Sequence, residues 1–117
     1  MKTIFTTAVM SLCVLISATT MAADMPALAK KSNCVACHAI DKKMVGPAWI
    51  DVAHKYKGAK KFSFEGKEYP LEQGLILKVS KGGKGNWGTM PMPPNDAAGN
   101  KQADIKELVK FILGLAK

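Results

Sequence analysis

Cys34-Val35-Ala36-Cys37-His38 sets two thiols three positions apart and an imidazole directly after the second. C-x-x-C-H is the spacing at which two cysteines can form thioethers to the two vinyl groups of one porphyrin while the adjacent histidine reaches its iron. The stretch therefore predicts one covalent haem c, attached through Cys34 and Cys37, with His38 as an axial ligand. Two other chemistries use similar spacings. A thioredoxin-like dithiol needs a βαβ context around the cysteines, and no strand pattern precedes Cys34. A zinc site needs two further ligands, and only Cys13 and His54 remain.

Cys13 belongs to a different part of the chain. Met1-Lys2 is a short positive start, Ile4 to Ala18 is apolar apart from small hydroxyl residues, and Thr20-Met21-Ala22-Ala23 offers small residues for cleavage. This pattern predicts a secretory signal peptide over 1–22, cut after Ala22 with Ala23 as the near alternative, and export to the periplasm. A membrane anchor fits less well, because the unbroken apolar core Leu12 to Ile16 is short and the cleavage site follows at once. Cys13 reads as a hydrophobic residue of the leader. Export suits the motif, since thioether formation needs thiols outside the reducing cytosol.

The remaining residues, 23–117, are enough for one small domain. A core of that size is marginal, and a buried haem would add a large apolar surface to it. All 17 basic residues are lysines, against 9 acids. Removing Lys2 with the leader leaves 16 against 9, a net +7 where the whole chain has +8. That excess favours an acidic partner. Nucleic acid is disfavoured by export, by the absence of arginine and by the lack of an aromatic-basic motif. Lysines that serve only solubility are the competing reading.

The domain reads as all-α with Gly and Pro punctuation. Pro26 to Ser32 predicts a first helix, with Asp24 as its cap, delivering the cysteines. Gly46-Pro47 breaks the chain, and Ala48 to Tyr56 resumes helical spacing through Trp49, Val52, Ala53 and Tyr56. Phe62, Phe64 and Tyr69 around Glu65-Gly66 suggest a small hairpin or ordered loop. Leu71 to Ser80 predicts a third helix, slightly weakened by Gly74 and stopped by Gly82-Gly83. Gln102 to Leu115 carries Ile105, Leu108, Val109, Ile112 and Leu115 on one stripe, a fourth helix.

Between these helices, Gly85-Asn86-Trp87-Gly88-Thr89-Met90-Pro91-Met92-Pro93-Pro94-Asn95 is too rich in Gly and Pro for a helix. It reads as a fixed, extended loop suited to presenting a thioether across a flat macrocycle. Met92 sits between prolines outside any helical stripe. Met90 and Met44 are the other candidates, and spacing alone does not separate Met90 from Met92. Trp49 reads equally well as core, and His54 as a surface or packing residue.

From Cys34 to Pro47 (CVACHAIDKKMVGP), and again from Trp87 to Asn95 (WGTMPMPPN), the chain resembles the small bacterial class I c-type cytochromes of the c-551/c-552 type. The resemblance implies a class I cytochrome c fold of four to five short helices around one haem. It also implies that Met92 is the sixth iron ligand, and that Pro47 accepts a hydrogen bond from His38 through its carbonyl. Trp87 is then expected near the haem edge, Lys78 near a propionate, and Asn95 supporting the methionine loop. Phe62 to Pro70 departs from the pattern, where a shorter connection is usual; that segment is expected to cover a propionate or alter the docking surface.

The function implied is one-electron transfer between redox partners, without catalysis. Expected partners are acidic redox proteins, such as a periplasmic reductase, a terminal oxidase or a membrane cytochrome complex, met by a soluble monomer. A haem enzyme or gas sensor is the second hypothesis, in which iron lacks Met92 and an added distal His or Arg would be expected. A thiol-disulfide protein using Cys34 and Cys37 is the third.

Overall fold

The computed structural model describes residues 23–117; the leader and its cleavage site lie outside the described residues. Four α-helices, one 3-10 turn and two small β-ribbons follow in order: α1 (Ala27–Lys31), the 3-10 turn (Cys34–Ala36), α2 (Trp49–Lys55), β1 (Lys61–Phe64), β2 (Lys67–Pro70), α3 (Leu71–Lys81), β3 (Gly83–Gly85), β4 (Gly88–Met92) and α4 (Gln102–Leu113). The helices carry most of the core, as the all-α reading expects, and β1 adds Phe62 and Phe64 to it.

α4 organises that core. Its stripe contributes Ile105 and Val109 to one cluster, with Phe62, Phe64 and Leu75, and Leu108 and Ile112 to a second, with Ala29 and Trp49. Full burial of an aliphatic or aromatic side chain of this size is worth roughly 1.5–3 kcal/mol, so one helix joins two half-cores. It stops at Leu113, short of the expected Leu115, because Gly114 ends the helix; Leu115 still packs against the second cluster.

Residues outside α4 fix where that helix begins. Its cap position is Lys101, whose side chain makes no capping bond. Instead the Asp96 carboxylate accepts the backbone N–H groups of Asn100 (2.7 Å) and Lys101 (2.8 Å) and the side-chain amide of Gln102 (2.8 Å). Gln102 also donates to Ser80 Oγ at 2.9 Å, and the Asp96 N–H to the Ser80 carbonyl at 3.1 Å. This network ties the end of α3 to the start of α4 and satisfies groups that burial would otherwise penalise.

α1 begins differently from the sequence reading. Pro26, extended at φ −58° and ψ 147°, occupies the cap, and its carbonyl accepts the N–H groups of Ala29 and Lys30; Asp24 makes no capping bond. Asn33 then turns the chain in the left-handed region (φ 58°), which Asn tolerates better than most residues, and leads into the 3-10 turn.

The segment after α2 is a hairpin, as the alternation of Phe62, Phe64 and Tyr69 suggests. Phe62 pairs with Tyr69 and Phe64 with Lys67, about a turn at Glu65 (φ 50°) and Gly66 (φ 77°). Two left-handed residues in a row match the type I′ hairpin. Phe62 and Phe64 face the core, and α3 lies directly on them. A Cβ on Gly74 would stand 2.7 Å from Phe62 Cβ. Gly74 is therefore the residue that lets α3 reach the hairpin, a role that outweighs its low helix propensity.

Candidate functional site

A cleft with about 940 Å³ of space, counting the part open to solvent, lies between the two half-cores. Trp49, Val52, Phe62, Leu75, Val79, Val109 and Ile112 give it an apolar wall. Into it project Cys37 and His38 from the motif side, and Met90 and Met92 from the opposite arm.

The motif side is rigidly built. Within the 3-10 turn the N–H groups of Cys37 and His38 both donate to the Cys34 carbonyl, at 3.1 and 2.9 Å, and the Gly46 N–H closes back on the Cys37 carbonyl at 2.8 Å. His38 Nδ1 makes a 2.8 Å hydrogen bond to the Pro47 carbonyl. With a carbonyl as partner, Nδ1 must carry the proton, and Nε2 is left with a free lone pair. Gly46 makes the arrangement possible: a Cβ there would lie 2.9 Å from both ring nitrogens. The Trp49 ring, 3 % exposed and 6.0 Å from the imidazole between centroids, backs the same side chain.

Cys34 is half-buried and packs against the second core cluster rather than lining the cleft. Burial pushes its thiol above the ordinary pKa, with a backbone hydrogen bond acting the other way. A reactive dithiol needs the opposite, a depressed pKa at an electropositive site. The local electrostatics therefore disfavour the thiol-disulfide reading.

The opposite arm is more regular than the fixed, extended loop that its glycines and prolines suggest. Gly83 pairs with Met92 and Gly85 with Gly88 in an antiparallel ribbon with an irregular register. Gly83, Gly85 and Gly88 all have positive φ, which only glycine adopts cheaply, and Pro91 is tolerated because a two-stranded ribbon has only edges. At its root, Gly82 (φ +71°) lies against the Met92 carbonyl, and a Cβ there would also stand 2.8 Å from Pro93 C and Pro94 N. Asn95 completes the root. Its N–H donates to the Val79 carbonyl at 3.1 Å, and its side-chain amide lies 3.3 Å from the carbonyls of Val79 and Pro93.

The other expected residues fall around the same cleft. Trp87 lines it and is 39 % exposed. Lys78 also lines it and donates to the Gly83 carbonyl. Desolvation lowers the pKa of that ammonium, while the charge of Glu65 works to raise it. Met44 does not line the cleft, and Met90, which does, is 63 % exposed. His54 is exposed on α2 and lies outside the cleft. Sequence reading missed Gly46, Gly82 and Lys55. The first two had only the generic signal of a glycine; the third is taken up below.

A family model for cytochrome c matches residues 22–116. The chain belongs to the cytochrome c family. Cytochrome c-551 of Allochromatium vinosum is 48 % identical over 88 residues, spanning 75 % of this chain and 82 % of its own. Cytochrome c-552 of Hydrogenobacter thermophilus is 42 % identical over 88 residues, spanning 75 % and 78 %. Among solved structures, that of Nitrosomonas europaea cytochrome c552 matches with a TM-score of 0.61 and 41 % identity, covering 75 % of this chain and 95 % of that one. This cytochrome thus has the class I fold, helical with small strands, and is a haem protein of electron transport. No helix among its described residues is long and apolar enough to cross a membrane.

Proposed function

We propose that this c-type cytochrome is a periplasmic monohaem electron carrier, with one haem c bound covalently through Cys34 and Cys37 and ligated by His38 and Met92. The observation that carries the reading is that His38 and Met92 line one and the same apolar cleft, with the His38 ring oriented by Pro47. When bound, the haem iron supplies reversible one-electron oxidation and reduction.

The residues divide that task. Cys34 and Cys37 anchor the macrocycle, and the hydrogen bond from His38 Nδ1 to Pro47 fixes the ring and makes Nε2 a stronger donor. Met92 offers a soft thioether, which favours the ferrous state and raises the potential. With His38 and Met92 both as ligands, a haem held here would keep no position open for a substrate, which would suit a carrier rather than a peroxidase or gas sensor. The apolar walls exclude water, and Lys78 provides a cation for a propionate. Asn95 and Gly82 hold the methionine arm at its root.

Exposed apolar side chains rim the cleft: Val45 (55 %), Trp87 (39 %) and Met90 (63 %). Such a rim suits brief contact with a redox partner, and the lysine excess would steer an acidic one toward it. The amino-terminal leader would deliver the chain to the periplasm, where both cysteines can be consumed by thioethers. An absorption spectrum of the purified protein tests the reading: reduced haem c bands together with a methionine-to-iron charge-transfer band in the oxidised state support it. Haem c bands without the charge-transfer band would assign the protein to an open-site class.

A further inference from the structure

Gly83–Gly85 and Gly88–Thr89 are exposed, so the ribbon that carries Met92 has little packing of its own to hold it over the cleft. Its root is fixed by Gly82 and Asn95. Its tip, Asn86-Trp87, is fixed by something else.

Lys55, the last residue of α2, reaches across 31 positions in sequence to donate from Nζ to the Asn86 carbonyl at 2.8 Å. The same ammonium stands 4.3 Å from the centroid of the Trp87 ring. On the other side, the Asn86 side-chain amide donates to the Ser63 carbonyl of β1 at 3.1 Å. The ribbon tip is therefore held on α2 by one cation, through a hydrogen bond and a cation–π contact, and on the β1–β2 hairpin by an amide. Both anchors come from elements buried in the core through Ala53 and through Phe62 and Phe64.

We propose that Lys55, with Asn86, is a clasp that keeps the methionine arm closed over the cleft, making Lys55 a positioning residue that acts through the ribbon and touches neither iron nor ligand. The inference rests on reading Met92 as an iron ligand. A ribbon fixed only at its root can pivot, and each opening would draw Met92 away from the cleft and admit small molecules. Fixing the tip suppresses that local opening without adding to the global core. The β1–β2 hairpin thereby has a use: it supplies Ser63 as an anchor as well as an apolar wall.

The test uses holoprotein with four single substitutions: Lys55→Gln, Lys55→Arg, Asn86→Ala and, as a charge control on the exposed face of α4, Lys106→Gln. In the oxidised proteins, imidazole displaces the methionine ligand, and the loss of the methionine-to-iron band reports the rate; amide hydrogen exchange at Gly88–Met92 reports opening directly. A hydrogen bond and a cation–π contact together correspond to an acceleration of roughly five- to seventyfold for Lys55→Gln in both readouts. Asn86→Ala should act in the same direction. Lys55→Arg, which keeps a donor and stacks on Trp, and Lys106→Gln should match the wild type. Equal rates for Lys55→Gln and Lys106→Gln would overturn the clasp. So would an acceleration matched by an equal loss of global stability in urea, since that is a general structural role. A wild-type protein with no methionine-to-iron band would overturn the Met92 reading, and this inference with it.

Discussion

Replacing Gly46 by alanine probes the orientation of His38 with one methyl group. An added Cβ would lie 2.9 Å from both imidazole nitrogens and closer still to Cε1, against an ordinary contact distance of at least 3.4 Å, so the ring must retreat by roughly an ångström. Such a shift cannot leave the 2.8 Å bond to the Pro47 carbonyl unchanged, and the Trp49 ring behind the imidazole limits its escape. Overpacking costs about 1–3 kcal/mol, and a half-buried carbonyl left without its partner up to about 1–3 kcal/mol more. Gly46→Ala should therefore lose about 2–6 kcal/mol. Gly58 is the control: it has φ +75° and nothing within 4 Å of an added Cβ, so Gly58→Ala meets only backbone strain of about 1–2 kcal/mol. Urea unfolding of both holoproteins measures the difference, and the absorption spectrum shows whether ligation changes. The expected result is a larger loss with a perturbed spectrum for Gly46→Ala, and an unperturbed spectrum for Gly58→Ala. Equal losses with two unchanged spectra would refute the role assigned to Gly46.

Cys34→Ala or Cys37→Ala should sharply lower the yield of holoprotein, because one anchor is lost and a core this small depends on the haem; normal amounts of doubly linked protein would contradict the attachment. Asp96 links acid stability to the start of α4. Desolvation raises its pKa, but the bonds from Gln102, Lys101 and Asn100 outweigh it and leave it below the ordinary value of 3.8. A depressed carboxyl pKa contributes stability that is present above the unfolded value and is lost as pH falls through the folded one. The wild type should thus lose stability on acidification below about pH 4, whereas Asp96→Asn should be weaker at neutral pH and flatter in acid, as thermal melts across pH would show. If the lysine excess steers docking, electron transfer to an acidic partner should slow as salt shortens the Debye length from about 10 Å at 0.1 M to about 3 Å at 1 M. A rate indifferent to salt would favour the solubility reading of the lysines.

Much of this site was legible because its two halves are local in sequence. Cys34, Cys37, His38 and Pro47 fall within 14 consecutive residues, and Met92 and Asn95 lie in one Pro-rich stretch. The helices followed from apolar stripes, and the first hairpin from Phe62, Phe64 and Tyr69 about Glu65-Gly66. What stayed hidden depends on distant pairs or on backbone that glycine disguises. Gly83 read as a helix stop, and Gly85 and Gly88 as parts of an extended loop, because they carry no alternation, yet their positive φ values are what let a ribbon form. Gly74 read as a defect in α3, since nothing nearby in sequence announces that Phe62 stands against it. Asp96 holds the turn that leads into α4 from several residues upstream, where no capping pattern applies. Lys55 looked like one of many solvated lysines, and only the fold brings it to Trp87.

The ligand set itself is tested most directly by the methionine-to-iron charge-transfer band of the oxidised holoprotein, measured in Met92→Ala and in Met90→Ala. Met92 is half-buried at the base of the ribbon beside Gly82, whereas Met90 is 63 % exposed, so its loss should cost no more than about 0.5 kcal/mol. Met92→Ala should abolish the band, lower the potential and open the iron to carbon monoxide, and Met90→Ala should retain the band. Loss of the band in Met90→Ala with retention in Met92→Ala, or an unchanged band in both, would contradict this ligand set.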